Sequence, residues 1–275
     1  MPDAAREISI NNIKIGGANP FFLIAGPCVI ESREHALLLA QEIKKICEQL
    51  QISFIFKASY DKANRSSIQS YRGPGLEKGL EILNHIKHRL SIPVLSDVHE
   101  TGQVEKAAQV LDVIQIPAFL SRQTDLLVAA ASTQKPVNIK KGPFLSPWEV
   151  KNAVEKVHSQ GNENIILTER GTSFGYSNLI FDVRSIPIMK KWGYPVVIDA
   201  SHSVQRPGGE GSSSGGEAEF IPHIASAGIS VGADGLFVEV HDNPAKALSD
   251  KHNSLNLNSL KALLGSLIRI KQAII

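Results

Sequence analysis

Cysteine is scarce in this sequence: Cys28 and Cys47 are the 2 in 275 residues. That excludes a disulfide framework and points to a reduced, cytoplasmic setting. Charge of one sign is equally scarce, since 29 Lys and Arg against 27 Asp and Glu leave a net +2. A near-neutral chain lacks the basic face that nucleic acid or an acidic membrane surface selects, so any anion site must be local. No apolar run approaches the ~20 residues of a transmembrane helix. The opening MPDAAREISI has no basic segment followed by an apolar one, so no secretion signal is expected. Low-complexity tails and solenoid repeats are missing too. With 43% hydrophobic and 20% charged residues, the chain is not a disordered one.

What is present is a repeating alternation. Ile8, Ile10, Ile13 and Ile15 flank Asn11-Asn12, the pattern of a small hairpin. FFLIAGPC (Phe21 to Cys28) then reads as a strand buried on both faces. From Ser32, apolar residues recur with helical spacing through Ala36, Leu39, Ala40, Ile43, Ile46, Cys47 and Leu50. Further strands are expected at 53–59, 93–98, 113–118, 136–142, 165–170, 195–203 and 235–241. Helices are expected between them at 75–90, 101–111, 123–134, from Ser146, near 184–192, up to Gly228, and over 260–274. Ser146-Pro147-Trp148-Glu149 has the form of a capping box with proline at the first helical position. Such alternation implies a parallel sheet, and a unit count of about eight implies a closed (β/α)8 TIM barrel. The expected domain is a single barrel over 1–275, with the hairpin of 1–17 capping it. An open doubly wound sheet would need a glycine fingerprint after its first strand, and GPC is not one.

The strands end, in order, in Cys28, Lys57, Asp97, Gln115, Lys140, Arg170, His202 and Glu239. In a barrel these ends converge on the face where loops build the active site. One set is cationic: Lys57, Lys62, Arg65, Lys140, Arg170 and Arg122. Converging cations in a near-neutral chain call for a small ligand with more than one anionic group. A second set is Cys28, His202, Glu239 and, beyond the last strand, Asp250. Thiolate, imidazole and carboxylates suit a divalent transition metal. Taken singly, Cys28 also reads as a buried small residue, and His202 as a general base or a core histidine. Cys47 lies on an apolar helix stripe, while His35, His85, His88, His158 and His252 read as surface residues.

These residues lie in longer motifs. FKASYDKANRSS (56–67), SYRGPGL (70–76), SDVHE (96–100), QIPAFLSRQTDL (115–126), NIKKG (138–142), the stretch 161–176 and DASHSVQRPGG (199–209) resemble the 3-deoxy-D-manno-octulosonate 8-phosphate synthases. The resemblance runs from about Phe21 to Asp250. It implies a TIM barrel, commonly a homotetramer, that condenses phosphoenolpyruvate with D-arabinose 5-phosphate and releases phosphate. The product leads to the Kdo sugar of lipopolysaccharide. In the metal-independent class asparagine follows the first strand, whereas GPCVIES here supplies Cys28, and KALSD (246–250) also resembles the metal-dependent class. The implied metal ligands are therefore Cys28, His202, Glu239 and Asp250, for Zn, Fe, Mn or Co. Lys251 stands where that class is expected to carry glycine, which questions the local loop geometry.

By the same resemblance Lys57, Lys62, Lys140 and Arg170 hold phosphoenolpyruvate, with Gln115 and Ala118 alongside. Asn64, Arg65 and Ser66 bind arabinose 5-phosphate, and Arg122 reaches the sugar phosphate of a neighbouring subunit. His202, Lys62, Asp97 and Asp250 are the candidate catalytic groups. Gln205 and the loop Pro207–Gly216 are expected to close over the sugar. The alternatives are a 3-deoxy-D-arabino-heptulosonate 7-phosphate synthase, which resembles Lys-Pro-Arg-Thr where DKANRSS stands here; a Schiff-base aldolase through Lys57 or Lys140; and a non-catalytic sugar-phosphate-binding barrel.

Overall fold

A computed structural model describes residues 5–207 and 215–274. Eight parallel strands close into a barrel. They are β1 Phe22–Gly26, β2 Phe54–Lys57, β3 Val94–Asp97, β4 Val113–Ile116, β5 Val137–Lys140, β6 Ile165–Glu169, β7 Val196–Asp199 and β8 Gly235–Glu239. The ring closes through β8 on β1, in register from Gly235 opposite Phe22 to Glu239 opposite Gly26. The helices are α1 Arg33–Leu50, α2 Leu76–Leu90, α3 Thr101–Ala108, α4 Thr124–Ser132, α5 Val150–His158, α6 Ser185–Lys190, α7 Ile221–Ser230 and α8 Leu257–Ile274.

Strand side chains alternate between two environments, and the apolar residues divide into two clusters accordingly. Leu23, Ala25, Phe54, Phe56 and Val94 pack outward with the helices. Phe22, Ile24, Ile55, Leu95, Val113, Ile166, Val197 and Phe237 pack inside the barrel. The antiparallel hairpin Ile8–Ile10 and Ile13–Ile15 adds Ile8, Ile10 and Ile15 to that inner cluster. Two residues further along most strands, the same inward face turns polar, with Lys57, Asp97, Gln115, Lys140, Thr168, Asp199 and Glu239, all buried. The barrel interior is thus apolar at one end and ionic at the other.

Local chemistry sets several boundaries. Ser32 caps α1 by accepting from the His35 N–H. At the end of β1, a Cβ on Gly26 would lie 2.0 Å from the Lys57 carbonyl oxygen, so glycine alone permits this approach of β1 to β2. Two expectations are corrected. The Ser146–Glu149 box forms only as a turn, with Glu149 Oε2 accepting from Ser146 N and Oγ, and α5 begins at Val150. The seventh strand stops at Asp199, whose side chain accepts from the His202 N–H and starts a helical turn, Ala200–Ser203. His202 therefore sits on that turn rather than on the strand. The loop expected over Pro207–Gly216 falls largely outside the described residues, but its two ends pair as Gln205–Arg206 with Gly215–Gly216.

Candidate active site

The carboxyl ends of the strands surround a cleft of about 520 Å³. Lys62, Asn64, Arg65, Ser66, Ala118, Lys140, Arg170 and Gln205 line it, together with Asp97, His202 and Asp250. The Arg170 guanidinium donates from Nη2 to Gln205 Oε1 at 2.8 Å, while its Nε and Nη1 are buried with no partner among the described residues. Buried unpartnered donors on a fixed cation mark the place for an anion. Burial opposes the charge on Lys62, but Cys28, Asp97, Asp250 and Glu239 together hold its pKa above the ordinary lysine value. Arg65 donates to the carbonyl oxygens of Tyr71 (2.9 Å) and Leu248 (3.1 Å), so it fastens the 246–250 loop to the cleft wall.

Two residues read as substrate contacts sit below the cleft instead of in its lining. Lys57 is 1% exposed, and its ammonium donates to Glu239 Oε1 at 2.9 Å and to the Cys28 carbonyl at 3.1 Å. The buried Glu239 carboxylate draws it inward. Gln115 bonds Asp97 through Nε2 and accepts from Asn138 Nδ2 at 2.8 Å, and Asn138 in turn accepts from Thr168 at 2.7 Å. Ser59 also donates to Asp97, at 2.7 Å. Burial opposes ionisation of Asp97, yet Lys62 and Lys57 keep its pKa well below the usual carboxylate range. Arg122 is exposed and stands outside the cleft of its own chain.

At the foot of the cleft the second set comes together. Cys28, Glu239 and Asp250 place one ligand atom each within 4.8 Å of one another. Cys28 Sγ donates to Asp250 Oδ2 at 2.7 Å and lies 3.0 Å from Ser249 Oγ. Burial, reinforced by the Asp250 charge, pushes the thiol pKa up to about 12. Glu239 Oε2 is buried with no hydrogen-bond partner among the described residues. The imidazole of His202 lies against this group, with Nε2 3.7 Å from Glu239 Oε1 and 3.6 Å from Asp250 Oδ2. Its Nδ1 is 2.8 Å from Asp199 Oδ2, which assigns the ring proton to Nδ1 and leaves the Nε2 lone pair facing the carboxylates. A buried thiol, an orphaned carboxylate oxygen and an imidazole lone pair form a donor set that fits a divalent transition metal.

Residues 5–274 match the DAHP synthetase I family. The 2-dehydro-3-deoxyphosphooctonate aldolase of Geotalea uraniireducens is 59% identical over 262 residues, covering 95% of this chain and 96% of that protein. The aldolase of the same name from Trichlorobacter lovleyi is 59% identical, covering 94% and 95%. One from a Geobacter species is 58% identical, covering 95% and 96%. The chain belongs to the 2-dehydro-3-deoxyphosphooctonate aldolase family. It is an enzyme of this family, and the heptulosonate synthase alternative is not favoured.

Within this aldolase scaffold, reasoning from sequence missed several groups. Asp199 holds both His202 and Lys140, whose Nζ lies 2.6 Å from Asp199 Oδ2 and 4.2 Å above the Phe237 ring. Burial opposes the Asp199 charge, but His202 and Lys140 keep its pKa well below the usual carboxylate range. Its inward parity with Val197 and its place three residues before His202 were the available signals. His35 and His158, read as surface, are engaged: His35 Nε2 with Asp242 at 2.9 Å, and His158 with the Tyr194 hydroxyl. Cys47 is buried on α1 as expected. Lys251 opens a 3-10 turn, and the left-handed position belongs to Asp250 (φ 50°), so no glycine is needed at 251.

Proposed function

We propose that this enzyme condenses phosphoenolpyruvate with D-arabinose 5-phosphate and water, giving 3-deoxy-D-manno-octulosonate 8-phosphate and phosphate. This product is the phosphooctonate in the name of its aldolase relatives. The observation that carries the reading is the cleft itself, where unpartnered guanidinium nitrogens of Arg170 meet Lys62, Arg65 and Lys140 above the Cys28–Glu239–Asp250 cluster. Two phosphates and a carboxylate account for that density of cations.

In the proposed reaction C3 of phosphoenolpyruvate attacks the sugar aldehyde. Water adds at C2, and the tetrahedral centre expels phosphate by C–O cleavage. Arg170, Lys62 and Lys140 hold phosphoenolpyruvate and offset charge developing at C2. Asn64, Arg65 and Ser66 orient the sugar phosphate in near-attack geometry. Asp97, braced by Ser59 and Gln115, stays ionised and its charge helps keep Lys62 protonated. Gln205, bridging Arg170 and Asp250 at 2.8 Å to each, links the anion site to the metal cluster. Cys28, His202, Glu239 and Asp250 would hold a divalent transition metal (Zn, Fe, Mn or Co). Such an ion would supply Lewis acidity, to orient the aldehyde or to lower the pKa of a bound water.

We also propose a homotetramer in which Arg122 serves a neighbour's sugar phosphate. Exposed Arg122 supports this, as do exposed Phe144, Trp148 and Phe174 on adjoining loops after β5 and β6. No helix among the described residues is long and apolar enough to cross a membrane. With two free cysteines, a cytoplasmic place is the consistent one. The deciding experiment is phosphate release from phosphoenolpyruvate with arabinose 5-phosphate or erythrose 4-phosphate, each with and without chelator. Turnover should need arabinose 5-phosphate and fall on chelation. Equal turnover with erythrose 4-phosphate would sink the substrate assignment.

A further inference from the structure

We infer that Glu31, with His241 behind it, is the positioning residue that fixes the spacing of the Cys28, Glu239 and Asp250 ligand segments. The inference rests on the proposed metal site. Glu31 lies three residues beyond Cys28, His241 two beyond Glu239, and Leu248 two before Asp250. One oxygen joins all three segments: Glu31 Oε1 accepts the Leu248 N–H at 2.9 Å and lies 3.3 Å from His241 Nε2. His241 is held in turn at Nδ1, which lies 3.0 Å from both the Asn243 N–H and Asp242 Oδ1.

The three segments differ in what else holds them. The Cys28 segment is fixed by the Ile30 N–H to the Ser59 carbonyl (3.0 Å) and by the Tyr71 hydroxyl to the Ile30 carbonyl (3.1 Å). The Glu239 segment is fixed by the Val240 N–H to the Gly26 carbonyl and the His241 N–H to the Leu255 carbonyl. The loop before Asp250 belongs to no strand, and Leu248 is half exposed. Its backbone is anchored by two side chains, Glu31 on the Leu248 N–H and Arg65 on the Leu248 carbonyl. Asp250 meanwhile holds a left-handed backbone (φ 50°), which a non-glycine residue keeps only when its surroundings impose it. Releasing the Leu248 N–H therefore leaves the segment to Arg65 on the Leu248 carbonyl and to the bonds of Asp250 with Gln205 and Ser254, which loosens its fit to Cys28 and Glu239.

The test is titration of the full-length, metal-stripped protein with Cd²⁺, read by thiolate-to-cadmium absorption, which reports the Cys28 sulfur. Wild type should take one equivalent with the band. Glu31→Ala should bind Cd²⁺ about 10–100-fold more weakly, the usual cost of losing an outer partner. Its melting temperature without metal, and its kcat at saturating Mn²⁺, should stay near wild type. Glu31→Gln keeps an acceptor for Leu248 and should recover most of the affinity. If Glu31→Ala does not fold, His241→Asn decides by the same titration. Unchanged Cd²⁺ affinity in the variant that folds overturns the inference while leaving the metal site intact. A wild type with no band overturns the metal site and this inference together. Glu31, His35 and His241 also place ligand atoms within 4.8 Å of one another. Two equivalents in wild type, with Glu31→Ala removing the one that gives no band, would make this cluster a second metal site and overturn the positioning role.

Discussion

Replacing Asp199 with asparagine tests whether the histidine of the proposed metal site is set by its carboxylate partner. Asp199 is fully buried and accepts from the His202 backbone N–H at 2.9 Å and from Nδ1 at 2.8 Å, with Lys140 Nζ at 2.6 Å. The carboxylate demands a proton on Nδ1, so the Nε2 lone pair faces Glu239 and Asp250. An asparagine that turns its NH2 toward Nδ1 forces the opposite tautomer and puts a proton where a metal would sit. Two magnitudes follow. Losing the outer partner of a metal-binding histidine weakens metal affinity by about 10–100-fold. Leaving Lys140 buried without its counter-charge costs about 3–5 kcal/mol. The Phe237 face beneath the ammonium is common to both proteins and leaves that difference unchanged. The assay pairs chelator competition for Zn²⁺ or Mn²⁺ with urea unfolding of the metal-free protein. Asp199→Asn should lose both metal affinity and stability. Asp199→Ala, which offers Nδ1 no donor, should bind metal more tightly than the asparagine variant while being no more stable. Wild-type metal affinity in Asp199→Asn would refute the tautomer argument, whatever the stability change.

Exhaustive chelation of wild type should abolish phosphate release, and added transition metal should restore it. Cys28→Ser should lose more metal affinity than the ~10–100-fold expected for an outer partner, and Cys28→Asn should retain some turnover that ignores chelator. Arg122→Ala should raise KM for arabinose 5-phosphate on the order of 10–100-fold, the worth of a charge-assisted hydrogen bond, with KM for phosphoenolpyruvate little changed. Gly26→Ala, which drives a methyl into the Lys57 carbonyl, should lower unfolding stability by about 1–3 kcal/mol or more in a urea titration. Asp97 and Asp199 have folded pKa values below the ~3.9 of an unfolded aspartate, so their stabilisation is present above that value and lost as pH falls below it. Urea midpoints should therefore hold from pH 7 to about pH 4 and drop below it, more gently in Asp97→Asn.

The barrel was legible because each strand is a short apolar run followed by a polar residue, and because the helices keep their apolar spacing. The ionic end of the interior was half legible. Ile55 predicts an inward Lys57 two residues on, Leu95 an inward Asp97, and Val113 an inward Gln115. The same step from Val197 reaches Asp199, and from Ile166 reaches Thr168, both of which were passed over. They lie inside their apolar runs, one or more residues before the conspicuous His202 and Arg170. The role of Glu31 was not legible at all. Its two partners come from segments more than 200 residues away in sequence, and only closure of β8 on β1 brings them to it.

Charge shows most clearly what sequence withholds. A census of Lys57, Lys62, Lys140 and Arg170 treats four cations as equivalent and assigns all of them to the substrate. The fold separates them by what already answers each charge. Lys57 faces Glu239, and Lys140 faces Asp199, both across buried contacts under 3 Å. Their charges are largely answered by the protein, so they set the field of the metal cluster as much as they attract a ligand. Arg170 is the opposite case. Burial lowers its pKa, and among the described residues it has one neutral partner in Gln205 and two nitrogens that face no acceptor. A guanidinium held this way is costly until an anion arrives. That cost gives the site its discrimination, because a ligand without a correctly placed anionic group leaves the same two nitrogens unanswered.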